Sequence, residues 1–170
     1  MTFTIRTIQA ADLDQVRAIA TASPEAPQWP SGIYDSYLST AVQPPICRTA
    51  LVVERDGQVI AFAAATLLLD GEQNLCQLDS MAVLPDTRRH GIGAALLEEI
   101  FAWAARCGAL HFSLEVRASN APALALYQRF GLCAEGCRPR YYAHPEEDAL
   151  LLGTSITLGD PPGLFHRKSG

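Results

Sequence analysis

The sequence predicts a single α/β domain, in which a mixed, mostly antiparallel sheet of about seven strands is flanked by about four helices. Three observations lead to this class. The chain has 170 residues, of which 49% are hydrophobic, and this is enough for one buried core. Strand-like alternation and amphipathic helical stripes follow one another along the chain. Turn signals separate them, the clearest being Asp56-Gly57 between two apolar runs. The domain is expected to cover residues 1–158, followed by a proline- and glycine-rich tail over 159–170.

In the first half of the chain, the patterns predict three strands and two helices. The strands are expected at residues 3–8, 50–54 and 58–69, and the helices at residues 10–21 and 31–39. Prolines on both sides of the second helix mark it as a short element between two loops.

The second half of the chain alternates strands with longer helices. Strands are expected at residues 74–83, 110–116, 132–142 and 149–157, the last two paired, and helices at residues 92–107 and 120–130. Gly108 and Gly131 occupy the position that is typical of a helix C-cap, and Asn120 that of an N-cap. The two helices are therefore delimited by residues suited to ending them.

A ten-residue segment, 88–97, joins the strand at 74–83 to the helix that follows it. Its two glycines, Gly91 and Gly93, let the backbone approach a bulky ligand where a Cβ would collide. The first helical turn presents unpaired N–H groups and the positive end of the helix dipole, and neighbouring arginines add charge. The segment therefore predicts a pyrophosphate-binding loop, although an ordinary tight turn gives the same pattern. Its spacing matches neither the P-loop nor the dinucleotide fingerprint.

A second segment, 114–127, reads Leu-Glu-Val-Arg-Ala-Ser-Asn-Ala-Pro-Ala-Leu-Ala-Leu-Tyr. Together the two segments resemble the GNAT superfamily of acetyl-CoA-dependent N-acetyltransferases, whose signature is Arg/Gln-x-x-Gly-x-Gly/Ala. The downstream run is similar to the RimI-like subgroup, which acetylates the N-terminal alanine of a small-subunit ribosomal protein. The resemblance is close over residues 81–152 and loose before them.

The resemblance implies the single-domain GNAT fold and an acetyl-CoA site. In that fold the strand before the loop splays from its neighbour, and its free backbone groups hold the pantetheine arm and the acetyl oxygen. The residues implied to bind the coenzyme are Met81, Ala82, Val83, Arg88, Arg89, His90, Gly91, Ile92, Gly93, Ala94 and Asn120.

Glu115 is a carboxylate within an otherwise apolar strand. Partial burial raises the pKa of a carboxyl group in general, and this suits a base that works near neutral pH. From the residues alone, a strand-end glutamate that is solvated or paired with an arginine explains the pattern as well. The resemblance implies the general-base role for Glu115.

Tyr127 lies seven residues after Asn120, two helical turns on, so that both side chains can face the same way. A phenol can protonate a departing thiolate, but the stripe formed with Leu124 and Phe130 also fits a core tyrosine. The resemblance implies that Tyr127 is the general acid. It also implies that Asn120 hydrogen-bonds the coenzyme arm, which is compatible with a helix cap.

Three features bear on the acceptor. Residues 138–142, Arg-Pro-Arg-Tyr-Tyr, resemble a stretch that lines the acceptor cleft in the RimI-like subgroup, although an aromatic pair beside a solvated acidic turn fits equally well. Residues 24–49 differ from the subgroup where its members wall the acceptor site. Asp79 stands where an apolar residue or an asparagine is expected, and it either binds a cationic amine or satisfies a turn.

The composition of the chain limits the classes of partner that the protein is expected to bind. The net charge of −5 argues against nucleic acid and suits an amine or a basic peptide. No apolar run is long enough to span a membrane and no signal-peptide core is visible at the start, so a cytoplasmic protein is expected. The five cysteines are expected to be reduced and mostly buried, and the scattered histidines predict no metal site.

The sequence therefore favours an N-acetyltransferase that moves acetyl from acetyl-CoA to a protein N-terminal α-amine, by direct attack in a ternary complex. Two alternatives stay open: the acceptor is a lysine side chain, a polyamine or a small amine, or the chain only binds acyl-CoA. The presence of both Glu115 and Tyr127 argues against the last, since a binding module needs neither. A monomer or a homodimer is expected.

Overall fold

The computed structural model describes residues 2–38 and 44–157. These residues form seven strands, four α-helices and two short 3-10 turns, at Ala10–Asp12 and Pro85–Thr87. The helices are α1 Leu13–Thr21, α2 Ser31–Asp35, α3 Ile92–Arg106 and α4 Ala121–Arg129. The strands are β1 Thr4–Thr7, β2 Ile46–Arg55, β3 Gln58–Leu68, β4 Leu75–Val83, β5 His111–Arg117, β6 Cys133–Ala143 and β7 Glu146–Ser155.

The seven strands form one sheet in the order β1-β2-β3-β4-β5-β7-β6. Every neighbouring pair is antiparallel except β4 and β5, which run parallel. The predicted fold class, a mixed and mostly antiparallel sheet with four helices, is confirmed. Parallel neighbours need a crossover connection, and α3 supplies it between β4 and β5.

The β4–β5 ladder is short, and this creates an opening in the sheet. Its pairing runs from Leu75 opposite His111 to Leu78 opposite Leu114 and ends there. Both strands continue beyond this point, β4 to Val83 and β5 to Arg117. The splay that the resemblance implied is thus present, and it lies at the carboxyl ends of the two strands.

The sheet carries an apolar core on each face. On one face, α3 buries Leu96 and Ile100, and the rings of Phe101 and Phe112 stack with their centroids 4.0 Å apart. On the other face, α1 and α2 pack against Phe62 of β3. Because both faces of β3 are covered, its central residues form a continuous buried run instead of alternating.

Several predicted boundaries were wrong. Strand β2 begins at Ile46 instead of residue 50, because residues 46–49 pair with the end of β3. Helix α2 ends at Asp35, after which Ser36 donates to the carbonyl of Ile33 in a tighter turn. Strand β7 begins at Glu146, so the β6–β7 hairpin is longer than expected. The predicted end of the second helix at residue 39 and the tail over 159–170 lie outside the described residues.

All five cysteines carry free thiols, but the expectation that most are buried was only partly right. Cys47 and Cys76 are buried and Cys107 is half-buried, whereas Cys133 and Cys137 are exposed. The last two lie on β6, which is an edge strand with solvent beside it. Among the described residues, no helix has the length and apolar character needed to cross a membrane.

Candidate active site

A cavity of about 550 Å³ occupies the opening between β4 and β5. Its walls come from the end of β4, the loop before α3, the end of β5 and the first turns of α4. Twelve of the thirteen residues proposed from the sequence line it: Met81, Ala82, Val83, Arg88, Arg89, Gly91, Ile92, Gly93, Ala94, Glu115, Asn120 and Tyr127. The sheet opening therefore brings together residues that are far apart in the sequence.

The loop before α3 has the geometry of an anion-binding turn. Gly91 directly precedes the helix with φ of +78°, in the left-handed region that favours glycine. The first helical hydrogen bond runs from the amide of Ala95 to the carbonyl of Gly91. The amides of residues 92–94 consequently have no acceptor within the helix, and the positive end of its dipole lies at the cavity wall.

The two glycines of the loop have different surroundings. A Cβ added to Gly93 would lie 3.4 Å from Cδ2 of Leu126 on α4, at the short end of ordinary van der Waals contact. At Gly91, by contrast, no heavy atom lies within 4 Å of an added Cβ among the described residues. The space next to Gly91 is therefore open, whereas the neighbouring helix bounds the space at Gly93.

Arg88 and His90 make contacts within the protein that their sequence pattern did not predict. Nε of Arg88 donates to the carbonyl of Val83 at 2.9 Å, and an Nη2 of the same guanidinium lies 2.5 Å from Oε1 of Glu25. Arg88 thus ties the loop after α1 to the end of β4, and its charge is already matched. His90 is absent from the cavity wall, and its Nδ1 lies 3.2 Å from the carbonyl of Thr87.

Asn120 caps α4, as predicted. Its Oδ1 accepts a hydrogen bond from the amide of Ala123 at 3.3 Å, and Pro122 occupies the first helical turn. The residue also lines the cavity. Because capping uses only the side-chain oxygen, the Nδ2 group can donate to a ligand.

Glu115 lies on β5 one residue beyond the last β4–β5 pair, and its side chain is 19% exposed. Its Oε1 accepts a hydrogen bond from Nε of Arg138 at 2.6 Å. Interaction with the same carboxylate raises the pKa of the Tyr141 phenol. The sequence-based alternative of a glutamate paired with an arginine is therefore correct, and the same carboxylate faces the cavity.

Tyr127 is buried on the inner face of α4, where it belongs to the core cluster with Phe130. It also lines the cavity. Tyr127 therefore lies both in the core and at the site, the two positions that the sequence pattern allowed. Burial raises the pKa of its phenol. The hydroxyl consequently holds its proton at neutral pH, as a group that donates to a leaving thiolate requires.

A second cavity of about 310 Å³ lies on the opposite side of the β4–β5 opening from α3. Trp29, Ile33 and Tyr37 from the region of α2 form one wall, and Tyr141 of β6 forms part of another. Five residues line both cavities: Pro27, Leu78, Asp79, Glu115 and Tyr142. The two spaces therefore meet at the sheet opening, beside the Glu115 carboxylate.

The acidic residues 146–148, expected in a solvated turn, begin β7 and make specific contacts. Glu147 accepts a hydrogen bond from the backbone amide of Ser119 and pairs with Arg117 at 3.4 Å. The guanidinium of Arg117 in turn lies 4.0 Å from the ring centroid of Tyr142. This network fixes the Tyr142 ring at the junction of the two cavities.

Sequence reasoning missed the contributions of Glu25 and Ser80. Both residues line the larger cavity, but no local pattern marked either of them. For Asp79 the sequence left two roles open, binding of a cationic amine or satisfaction of a turn. In the structure it lies at the junction of the two cavities. No group of three potential metal ligands was found among residues 2–38 and 44–157.

A mixed sheet that opens between two parallel strands, with a glycine loop and a helix N-terminus at the opening, defines a class of transferases that use an acyl-coenzyme A donor. A family model for the acetyltransferase (GNAT) family matches residues 13–132. The chain belongs to this family and is an acetyl-CoA-dependent N-acetyltransferase, with acetyl-CoA as its cosubstrate. The resemblance drawn from the two sequence segments is confirmed.

Several of the similar proteins share one name, ribosomal protein alanine N-acetyltransferase. A Bacillus subtilis protein, named as a candidate ribosomal protein bS18-alanine N-acetyltransferase, is 30% identical over 89% of this chain and 95% of its own length. The Escherichia coli ribosomal protein bS18-alanine N-acetyltransferase is 37% identical over 61% of this chain and 69% of its own length. The crystal structure of the ribosomal-protein-S18-alanine N-acetyltransferase from Escherichia coli matches with a TM-score of 0.73. It is 29% identical and covers 94% of this chain and 97% of that one.

The Glu115–Arg138 ion pair leads to a prediction. Because the Arg138 side chain is 56% exposed, Arg138→Gln is expected to lower the free energy of unfolding by less than about 1 kcal/mol. Turnover should stay within about tenfold of wild type, since the carboxylate remains in place. Arg106→Gln, on the last turn of α3, is the matched control. A loss of turnover as large as that of a Glu115 variant would show that activity depends on the ion pair.

Proposed function

We propose that the protein transfers acetyl from acetyl-CoA to the N-terminal α-amine of a protein, as its ribosomal protein alanine N-acetyltransferase relatives are named for doing. The observation that carries this proposal is the meeting of two cavities at the sheet opening. One has the loop and helix end suited to a diphosphate, and the other has aromatic walls. A donor and an acceptor held in these two spaces can react directly in a ternary complex.

The larger cavity is proposed to hold the coenzyme. The amides of residues 92–94 and the open face of Gly91 suit its diphosphate, and the unpaired edge of β4 at 81–83 suits the pantetheine arm. Asn120 adds a side-chain amide along the same wall. Arg89, with φ of +64°, is the loop arginine proposed to face the phosphates, since Arg88 is paired with Glu25.

Glu115 is proposed to act as the general base. A peptide α-amine has a pKa of about 8, well below the value of about 10.4 for lysine, so little basicity is needed to deprotonate it. The carboxylate takes one proton from the acceptor ammonium, directly or through a water. The neutral amine then attacks the thioester carbonyl, and the amide C–N bond forms. The nitrogen releases its second proton to solvent, and the C–S bond breaks with its electron pair going to the sulfur.

Tyr127 is proposed to be the general acid that protonates the departing thiolate sulfur. Tyr127→Phe keeps the ring and removes only the hydroxyl, so we expect it to lower turnover about tenfold or more. The affinity for acetyl-CoA and the melting temperature should change little. Tyr34→Phe, which removes another buried tyrosine hydroxyl away from both cavities, is the matched control. If Tyr127→Phe turns over at the wild-type rate, Tyr127 is not the general acid and only packs in the core.

The acceptor class is tested with labelled acetyl-CoA. Alanine-initiated peptides, the same peptides with blocked N-termini, and small amines are compared at equal concentration. Labelling of the free peptides that is lost on blocking is expected for α-amine transfer. Labelling that survives blocking, on a lysine-containing peptide, would assign the enzyme to side-chain amines, and labelling of the small amines alone would assign it to them. We further propose that the enzyme works in the cytoplasm as a monomer or a homodimer.

A further inference from the structure

We infer that Asp79 binds the ammonium group of the acceptor at the junction of the two cavities. This inference rests on the proposed function, because it takes the second cavity as the acceptor side. It assigns a ligand class, a primary ammonium, to a carboxylate on β4 that lies across the sheet opening from Glu115.

A bulge in β4 gives Asp79 its position. Opposite it on β3, Ala64 pairs with Ser80 and the next residue, Ala65, pairs with Leu78. Asp79 is the extra residue between these pairs, so it departs from the regular alternation of the strand. Bulges of this kind redirect a side chain, and here the side chain reaches the wall shared by both cavities.

Two hydroxyl groups hold the carboxylate in place. Tyr37 donates to Oδ2 at 2.8 Å, and Thr66 donates to the same oxygen at 2.7 Å. Within residues 2–38 and 44–157, these are the hydrogen bonds that the carboxylate accepts, and both fall on one oxygen. Oδ1 is consequently available to a ligand. An ammonium, which has donors and no acceptor, is the complementary group.

Among residues 2–38 and 44–157, the carboxylate has no ion-pair partner in contact with it. Glu115 has Arg138 as its partner. Burial raises the pKa of Asp79, while the two hydroxyl donors and the more distant Arg48 act in the opposite direction. A buried carboxylate is stabilised by a cation that is brought into contact with it, and the acceptor supplies one.

The test compares ammonium ligands with neutral ligands of the same shape, in the presence of coenzyme A. One pair is an alanine-initiated tripeptide and its analogue with propionyl in place of alanine, and the other is butylamine and butanol. Wild-type protein should bind the ammonium member of at least one pair about tenfold or more tightly. Asp79→Asn keeps an oxygen for Tyr37 and Thr66, so it should fold normally and lose this preference. Asp14→Asn, on the exposed face of α1, should keep it.

The two pairs separate the two proposals. A preference for butylamine that depends on Asp79, without one for the tripeptide, would support the Asp79 site and contradict α-amine transfer to a peptide. In turnover, Asp79→Asn should raise the KM of the acceptor at least tenfold and leave the KM of acetyl-CoA unchanged. If Asp79→Asn retains the wild-type preference, or if the wild type has none in either pair, the ammonium site is refuted.

Discussion

Replacing Glu115 by glutamine is expected to lower turnover by about 10²–10⁴-fold at neutral pH, the range that general acid–base groups contribute. The substitution keeps the size of the side chain and an oxygen that can accept from Arg138. It removes the ability to take a proton from the acceptor ammonium. Glu115 lies on β5 and not in the loop that is proposed to bind the diphosphate. The affinity for acetyl-CoA should therefore be nearly unchanged. Steady-state kinetics and a separate titration with acetyl-CoA measure the two effects.

Glu98→Gln is the matched control for this variant. Glu98 lies on the exposed face of α3, so the same chemical change should leave both turnover and coenzyme affinity at their wild-type values. A Glu115→Gln enzyme with wild-type turnover across the pH range would remove Glu115 as the base. An enzyme that lost acetyl-CoA affinity instead would indicate a structural role for the carboxylate at the cavity wall.

Gly91→Val should weaken acetyl-CoA binding by about a hundredfold or more. Two causes act together at this residue. Its φ of +78° is strained for a β-branched side chain. The valine side chain would also occupy the open space in front of the loop, which is proposed to admit the diphosphate. Isothermal titration with acetyl-CoA measures the loss, and circular dichroism shows whether the fold is retained.

Gly71→Val separates these two causes. Gly71 has φ of +81° and equally open surroundings, but it lies in the turn before β4, away from both cavities. The strain is therefore matched, while the ligand site is untouched. Wild-type acetyl-CoA affinity in Gly71→Val and weak affinity in Gly91→Val is the expected outcome. Normal titration of Gly91→Val would contradict the assignment of the loop.

The elements with strong local signals were predicted well. Gly108 and Asn120 delimit α3 and α4 because a cap depends on nearby backbone groups, which the sequence displays directly. The start of β2 was missed because it depends on pairing with the distant end of β3. The start of β7 was missed because its acidic first residues pair with β6 across a short turn. Ile46, for example, is exposed, and only its pairing with Leu68 makes it part of the sheet.

The sequence predicted which residues line the candidate site better than it predicted the partners that those residues contact. The glycine loop and Asn120 follow a local pattern, so their place at the cavity was predictable. The partner of Glu115 lies 23 residues away on β6, and that of Arg88 lies before α2. Such pairs form only when the strands are assembled. The role of Asp79 likewise depends on a bulge that no sequence pattern announced, since only the pairing with β3 reveals the extra residue.

Backbone amides around Gly91 and Gly93 are proposed to bind the coenzyme diphosphate and so to direct the thioester to the opening beside Glu115. A crystal structure of the complex with acetyl-CoA is the decisive measurement. Diphosphate oxygens are expected within hydrogen-bonding distance of the amides of residues 89–94, with the acetyl group between β4 and β5. A diphosphate bound at any other surface, or an acetyl group outside the opening, would contradict this proposal.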